Sequence, residues 1–336
     1  MSTVTIKNIA KEAGVSVTTV SLILNKKDVN FAKETVDKVW QVVKEKNYMP
    51  NQIAACMKTK RSKTIGVIIP DIQSPFFSEA VKYIEREVKK RNYNMLLCCS
   101  YWNVEEDLKY IRLLRTKGID GLIIALAGDS ERNGILVDTL NDCGMPFISL
   151  DRWVEGLQCA RVSIDHNMGG YIATKYLIEK GHTKIGCITG AMSSYTARRR
   201  EKGYRQAMLE AGLPIKEEWI YEGDYQFQGG YDGGKALLKT DVTAIFASND
   251  VMAYGLYRAA EEECKRIPDD ISIIGFDDLQ FSSMLAVPLT SVRQSVEELA
   301  IKATECLFKE IFDEHVERID VKLDVSIMER RSVKQL

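Results

Sequence analysis

No apolar run in this 336-residue chain reaches the roughly 18 residues needed to cross a bilayer. The longest, Gly121 to Gly128, has the length of a buried strand. Histidine is scarce. His166, His182 and His315 are the only three, too few and too scattered for a His-ligated metal site or a Ser-His-Asp relay. The eight cysteines form no C-x-x-C pair and show no metal-ligand spacing. They read as reduced, mostly buried thiols of a cytoplasmic protein. A basic start followed by an apolar segment is missing, so no secretory leader is expected. G-x-S-x-G, Walker A and G-x-G-x-x-G motifs are also missing. These absences argue against an enzyme, and no metal or cofactor is expected.

What is present begins with an uneven charge. Residues 1–63 hold 12 Lys+Arg and 5 Asp+Glu, a net of +7, while the remaining 273 hold 34 and 42, a net of −8. The near-neutral total therefore hides a basic head on an acidic body, and only the head invites a polyanion. Within the head, Thr5 to Asn25 reads as two short helices around a tight turn. Thr5 caps the first, whose apolar stripe is Ile6, Ile9, Ala10 and Ala13. Gly14 supplies a left-handed turn, and Ser16 caps a second helix that buries Val20, Ile23 and Leu24. A close pair of helices of this kind places the second in a DNA major groove. A third helix is expected from Thr35 to Lys46, with Val36, Val39, Trp40 and Val43 facing inward. Proline at position 50 then interrupts, and residues 51–60 form a short segment too brief to be helical alone.

From Thr64 the pattern alternates. Expected strands lie at Ile65–Ile69, Asn94–Cys99, Gly121–Ala125, Pro146–Leu150, Lys184–Thr189, Trp219–Tyr221, Ala244–Ala247 and Ile271–Ile274, all but the last followed by a helix. Apolar strands alternating with helices mean parallel, doubly wound sheets. The rhythm breaks near Asp151 to His166, which implies two lobes. A late helix is expected at Val296–Glu314 and one final strand at Val321–Val325.

In this order the chain resembles the LacI family of bacterial transcription regulators over essentially its whole length. The motifs that carry the resemblance are Ile6 to Ser21, Tyr48-Met-Pro50, Lys63-Thr-Ile-Gly-Val67, Gly118-Ile-Asp-Gly-Leu122, Gly181-His182, Asn249 to Gly255, Ile274-Gly-Phe-Asp277 and Glu329-Arg-Arg-Ser332. The fold class implied is α/β: an all-α helix-turn-helix head, then a two-lobe, doubly wound parallel-sheet core like that of periplasmic binding proteins. The expected boundaries are 1–48 for the head, 49–61 for a hinge helix, 62–163 with 294–320 for the first lobe, and 164–293 with 321–336 for the second. The resemblance also implies a homodimer on double-stranded operator DNA, without membrane association. The C-terminus lacks a heptad run that would tether four chains.

The DNA contacts implied are Thr5, Ser16, Val17, Thr18, Thr19, Ser21, Leu22 and Asn25 in the head, and Met57 and Lys58 in the hinge. Val17, Thr18 and Leu22 match the family's base-reading positions. Leu22 stands where a long polar residue is common and cannot hydrogen-bond guanine, which leaves the operator sequence undefined. Met57 matches a minor-groove wedge. Ala32 replaces the usual serine before the third helix, with Asn30 as the alternative cap.

Ligands of open α/β lobes sit beyond the carboxyl ends of strands. The residues falling there are Phe76, Phe77, Asp151, Thr196, Arg200, Tyr225, Asn249, Asp277 and Gln294, and each also matches a family effector-contact position. A planar fork of donors, two carboxylates and aromatic walls suit a polyhydroxylated ligand, a sugar or a sugar derivative. Arg198 and Arg199 read as a solvated face and His182 as a turn residue. The expected function is a transcriptional repressor whose operator affinity responds to such a small molecule. Control by a protein co-repressor, or a solute-binding role without regulation, stays open at this point.

Overall fold

In the computed structural model, which describes residues 4–24, 30–49, 61–127, 133–313 and 319–336, the chain divides into two compact units, Met1–Ser62 and Lys63–Leu336. The expected contacts Asn25, Met57 and Lys58, and nearly all of the expected hinge helix, lie outside the described residues.

The first unit holds α1 (Ile6–Ala13), α2 (Val17–Leu24) and α3 (Lys33–Glu45). Asn8 Oδ1 accepts the Thr5 backbone N–H at 2.9 Å and the Thr5 hydroxyl at 2.5 Å, tying down the start of α1. Gly14 ends it at φ 70°, ψ 32°, with its N–H on the Ala10 carbonyl. Ser16 Oγ accepts the Thr19 N–H at 3.0 Å and so caps α2. Ile9, Ala10, Ala13, Val20, Ile23, Val39, Val42 and Val43 form the core. One expectation is corrected here. Val42 is buried and Trp40 is exposed, because Val39, Val42 and Val43 follow the i, i+3, i+4 spacing of one face and Trp40 falls beside it. The third helix starts after Ala32, so Asn30 lies two residues before the cap position.

The second unit has two sheets. The first contains β1 (Thr64–Ile69), β2 (Asn94–Cys99), β3 (Gly121–Ile124), β4 (Phe147–Leu150), β5 (Ala160–Ile164) and, from far along the chain, β11 (Asp320–Leu323). All pair in parallel, in the order β11-β5-β4-β3-β1-β2. The second contains β6 (Ile185–Thr189), β7 (Ile220–Glu222), β8 (Ala244–Ala247), β9 (Ser272–Asp277), β10 (Thr290–Gln294) and β12 (Val325–Met328). Its order is β12-β10-β9-β8-β6-β7, and only β10 with β12 runs antiparallel. The connecting helices are α4 (Pro75–Lys90), α5 (Val104–Thr116) and α6 (Asn133–Asn141) for the first sheet. Those for the second are α7 (His166–Glu179), α8 (Tyr195–Glu210), α9 (Phe227–Leu237) and α10 (Asp250–Glu262). The late helix α11 (Val296–Phe312) packs on α4 and on strands β3, β4 and β5.

Three expectations change. The stretch from Asp151 to His166 is not only a break, since it contains β5. Ser291–Gln294 lies within strand β10 rather than in a bare crossover. The expected strand Val321–Val325 is two strands parted at Asp324, so residues 321–323, expected in the second lobe, complete the sheet of the first. The chain thus changes sheets at single residues: Asp165, Ser295 and Asp324. Asp165 and Ser295 each cap the helix that follows, accepting from Met168 and Glu298 N–H groups at 3.0 and 3.2 Å. Among the described residues no helix is long and apolar enough to cross a membrane.

Candidate functional site

In each sheet the strand order reverses, between β1 and β3 in the first and between β6 and β8 in the second. Crevices open beyond the carboxyl ends of strands at such points. Here one cleft opens at these strand ends, about 590 Å³ of open space with its mouth included. All of the expected effector residues line it: Phe76, Phe77, Asp151, Thr196, Arg200, Tyr225, Asn249, Asp277 and Gln294. So do Gln73, Trp102, Arg152 and Gln226, which the sequence pattern did not single out.

The backbone marks the same place. Asp151, Tyr225 and Asp277 take positive φ values of 63°, 66° and 106°, and Tyr101 and Trp102 take 50° and 62°. Such values strain residues that carry a Cβ and persist where the surrounding structure over-determines them. Helix packing fixes the central arginine. A Cβ on Gly170 of α7 would come within 2.0 Å of the Arg200 carbonyl oxygen on α8. Only glycine at position 170 lets the two helices approach this closely.

Arg200 is the hub. One terminal nitrogen donates to the Ser248 carbonyl and stands 3.8 Å from Asp277 Oδ1. Nε donates to His166 Nδ1 at 3.4 Å, and the guanidinium carbon lies 3.5 Å from the Phe276 ring centroid. Because arginine only donates, His166 Nδ1 is an acceptor, and the proton of the neutral ring sits on Nε2. Nε2 is 3.0 Å from Asp151 Oδ1. Burial holds His166 below its ordinary pKa against the upward pull of Asp151, consistent with the neutral ring. Burial alone would raise Asp151, but His166, Arg200 and Arg152 outweigh it and hold the carboxyl below its ordinary range. Arg200, His166 and Asp151 therefore line up in buried contact from α8 to the end of β4, that is, from one lobe to the other, the His166–Asp151 step being a close approach without hydrogen-bond geometry.

Asp277 is the opposite case. Burial pushes it up to about 8, Asp250 adds to the rise, and Arg200 and Gln294 oppose it. Gln294 donates to Asp277 Oδ1 at 2.6 Å from the last residue of β10, beside the crossing at Ser295. Thr196 and Tyr225 share a hydroxyl contact of 2.9 Å. Asn249 is spent on structure: its Nδ2 donates to the Tyr225 carbonyl at 3.0 Å and its Oδ1 accepts from Met252 N–H at 2.8 Å, capping α10. Arg198 and Arg199 are exposed, and His182 is buried against Thr243 at 2.9 Å.

The raised carboxyl has a thermodynamic consequence. Asp277 keeps its proton in the folded core where the unfolded chain has lost it, so its contribution to stability falls as pH rises from about 4 to about 8. Asp107 and Asp250, both near 6, act in the same sense but lower in pH. The two depressed histidines, His166 and His182, act in the opposite sense below about 6.5. The decline between pH 6.5 and 8 thus belongs to Asp277. Calorimetry of the wild-type core should show a loss on the order of 1–2 kcal/mol there, and Asp277→Asn should flatten it. An unchanged slope in the variant would contradict the assignment.

In the head, Val17 and Thr18 are exposed at the start of α2, Thr5, Ser16 and Thr19 cluster at the helix starts, and Ser21 and Leu22 are half-buried. Lys7, Lys11, Lys33 and Lys38 are exposed on the same small unit.

Comparison with known proteins places these features. Residues 5–51 match the family model of bacterial regulatory proteins of the lacI family. Residues 62–329 match the model of periplasmic binding proteins and the sugar-binding domain of that family. The HTH-type transcriptional repressor PurR of Pasteurella multocida is 37% identical over 334 residues, covering 98% of each chain. The lac repressor dimer bound to operator and the anti-inducer ONPF superposes with a TM-score of 0.87 at 27% identity, covering 99% of this chain and 100% of the other. A LacI-family regulator from Enterococcus faecium with bound ribose gives a TM-score of 0.74 at 33% identity, over 81% of this chain and 99% of that one.

Proposed function

The chain belongs to the LacI family of bacterial regulatory proteins, and we propose from that membership that it represses transcription under the control of a small metabolite. It is a DNA-binding regulator and not an enzyme. It works as a homodimer on operator DNA, as the lac repressor relative does, and in the cytoplasm.

The observation that carries the reading is the cleft between two sheets joined at single-residue crossings. His166 follows the crossing at Asp165, and Gln294 precedes the one at Ser295. Both touch cleft residues, His166 through Arg200 and Asp151, Gln294 through Asp277. A ligand held by Arg200, Asp151, Asp277 and Gln294, with Phe76, Phe77 and Tyr225 as walls, bears on the hinges themselves. It shifts DNA affinity by its differential preference for two lobe arrangements. The donors, carboxylates and aromatic faces support a polyhydroxylated ligand, in keeping with the relative that holds ribose. Val17, Thr18 and Leu22, presented by α2, read base edges, with Met57 and Lys58 as hinge contacts.

Selection of genomic fragments by the purified full-length dimer tests this reading. A palindrome with half-sites about one helical turn apart should be enriched, and a fraction of small metabolites should change its retention. Failure to enrich any sequence would contradict the proposal.

A further inference from the structure

We infer that Arg161 works as a spring between the two lobes, outside the cleft: its buried, uncompensated charge opposes the arrangement in which Tyr195 covers it and biases the lobes toward parting. The inference rests on the two-arrangement reading above and names a residue that sets the balance.

Arg161 stands on β5 of the first lobe and is 8% exposed. Its backbone N–H donates to the Ile319 carbonyl at 3.0 Å, and it pairs with Asp320 of β11, so its main chain belongs to the first sheet. Its guanidinium carbon lies 5.4 Å from the ring centroid of Trp153, in the loop after β4 of the same lobe, and 5.2 Å from that of Tyr195. Tyr195 is the first residue of α8, in the second lobe. None of the three lines the cleft. Nη2 donates to the Tyr195 hydroxyl at 3.4 Å, a long bond, and Nε is buried with no partner. Among the described residues no carboxylate forms an ion pair with Arg161.

Two terms act on this side chain, and they have opposite signs. The rings attract the cation. Burial without a counterion and with an unmet N–H opposes it, and that cost exceeds what aromatic faces return. Arg200 shows the usual answer to the same problem, with Asp277 and the Ser248 carbonyl around it. Arg161 has no such answer inside the protein, so water must supply it. When the lobes part, Trp153 stays with Arg161 and Tyr195 leaves, which opens the guanidinium to water. A second cation strengthens the bias. The guanidinium carbon of Arg199, on α8, lies 5.1 Å from the same Tyr195 ring, so like charges face each other across the lobe boundary. The position suits a spring. Arg161 stands four residues before the sheet crossing at Asp165, and the Tyr195 ring is 6.5 Å from that of His166, just after it. Any preference of Arg161 for one arrangement then alters the resting population on which ligand and DNA both act.

Hydrogen exchange of the full-length protein without ligand tests this. The amides to follow are those of residues 151–158 and 191–197, the segments that meet around Arg161 and Tyr195. Arg161→Met, which keeps the length and removes the charge, should slow their exchange at least threefold, and Arg161→Lys should stay within twofold of wild type. Arg199→Gln, an exposed change that leaves the core intact, should slow it about twofold and serves if the methionine variant does not fold. Unchanged or faster exchange in these variants overturns the inference, faster exchange marking Arg161 as a latch. A second readout separates lobe balance from local packing. Ligand-free affinity for the genomic fragment enriched above should shift at least threefold in Arg161→Met, and slower exchange with unchanged affinity overturns the regulatory role. If no fragment is enriched, the proposed function fails and the exchange result alone decides the spring.

Discussion

Arg200→Met should cost the protein its effector, with affinity falling at least about tenfold. The side chain joins elements that the ligand must bridge. It reaches the Ser248 carbonyl after β8, Asp277 at the end of β9 and His166 at the start of α7, and it stacks on Phe276. Removing the guanidinium leaves Asp277 without its nearby cation and the His166–Asp151 contact without its anchor. Charge-assisted hydrogen bonds contribute about 1.5–3 kcal/mol each, so losing one or two corresponds to roughly 10- to 10⁴-fold in affinity. The core should also lose roughly 3 kcal/mol of stability, because one member of a buried network is gone. Calorimetric titration and thermal melts of the same preparation separate the two effects. Full effector affinity in a folded variant would show that Arg200 is not the binding element.

Operator affinity should be steeply sensitive to salt. The head carries +7 and the rest of the chain −8, so the cations that meet phosphate belong to the head. If the two heads of a dimer neutralise about eight phosphates, affinity falls about 10⁴-fold between 50 and 200 mM salt. Lys7, Lys11, Lys33 and Lys38 are exposed and are the first residues to test by substitution. Removing any charge that contacts phosphate should lower the salt slope and weaken specific and non-specific binding alike. Lys46 should matter less, since Glu12 holds it at 2.9 Å. A flat salt response would contradict a phosphate-driven head.

Much of this architecture was legible because the chain repeats a simple physical pattern. Strands β2 and β8 and helix α10 fall where alternation and capping put them, since Asn249 is followed by an apolar stripe at helical spacing. Strands β5 and β10 were missed for a specific reason. Thr290, Ser291 and Gln294 look like a polar connection, yet all three are buried in β10. Ser291 donates to Asp250 at 2.6 Å, and Ser332 serves the Thr290 N–H at 2.8 Å. Those partners lie some 40 residues away in sequence, beyond the reach of any local period. The cleft residues were legible because strand ends are local features. Trp102 and Arg152 were not, since one enters through a left-handed turn after β2 and the other lies one residue past a position already assigned. Only the three-dimensional arrangement shows that they stack.

The central claim is that ligand in the cleft and DNA on the head are coupled. It is tested most directly by measuring operator affinity of the full-length dimer with and without the ligand found by titration, and then ligand affinity with and without operator. The account predicts that both affinities change, and by the same factor, as linkage requires. Ligand that binds the cleft tightly while operator affinity stays the same would contradict it.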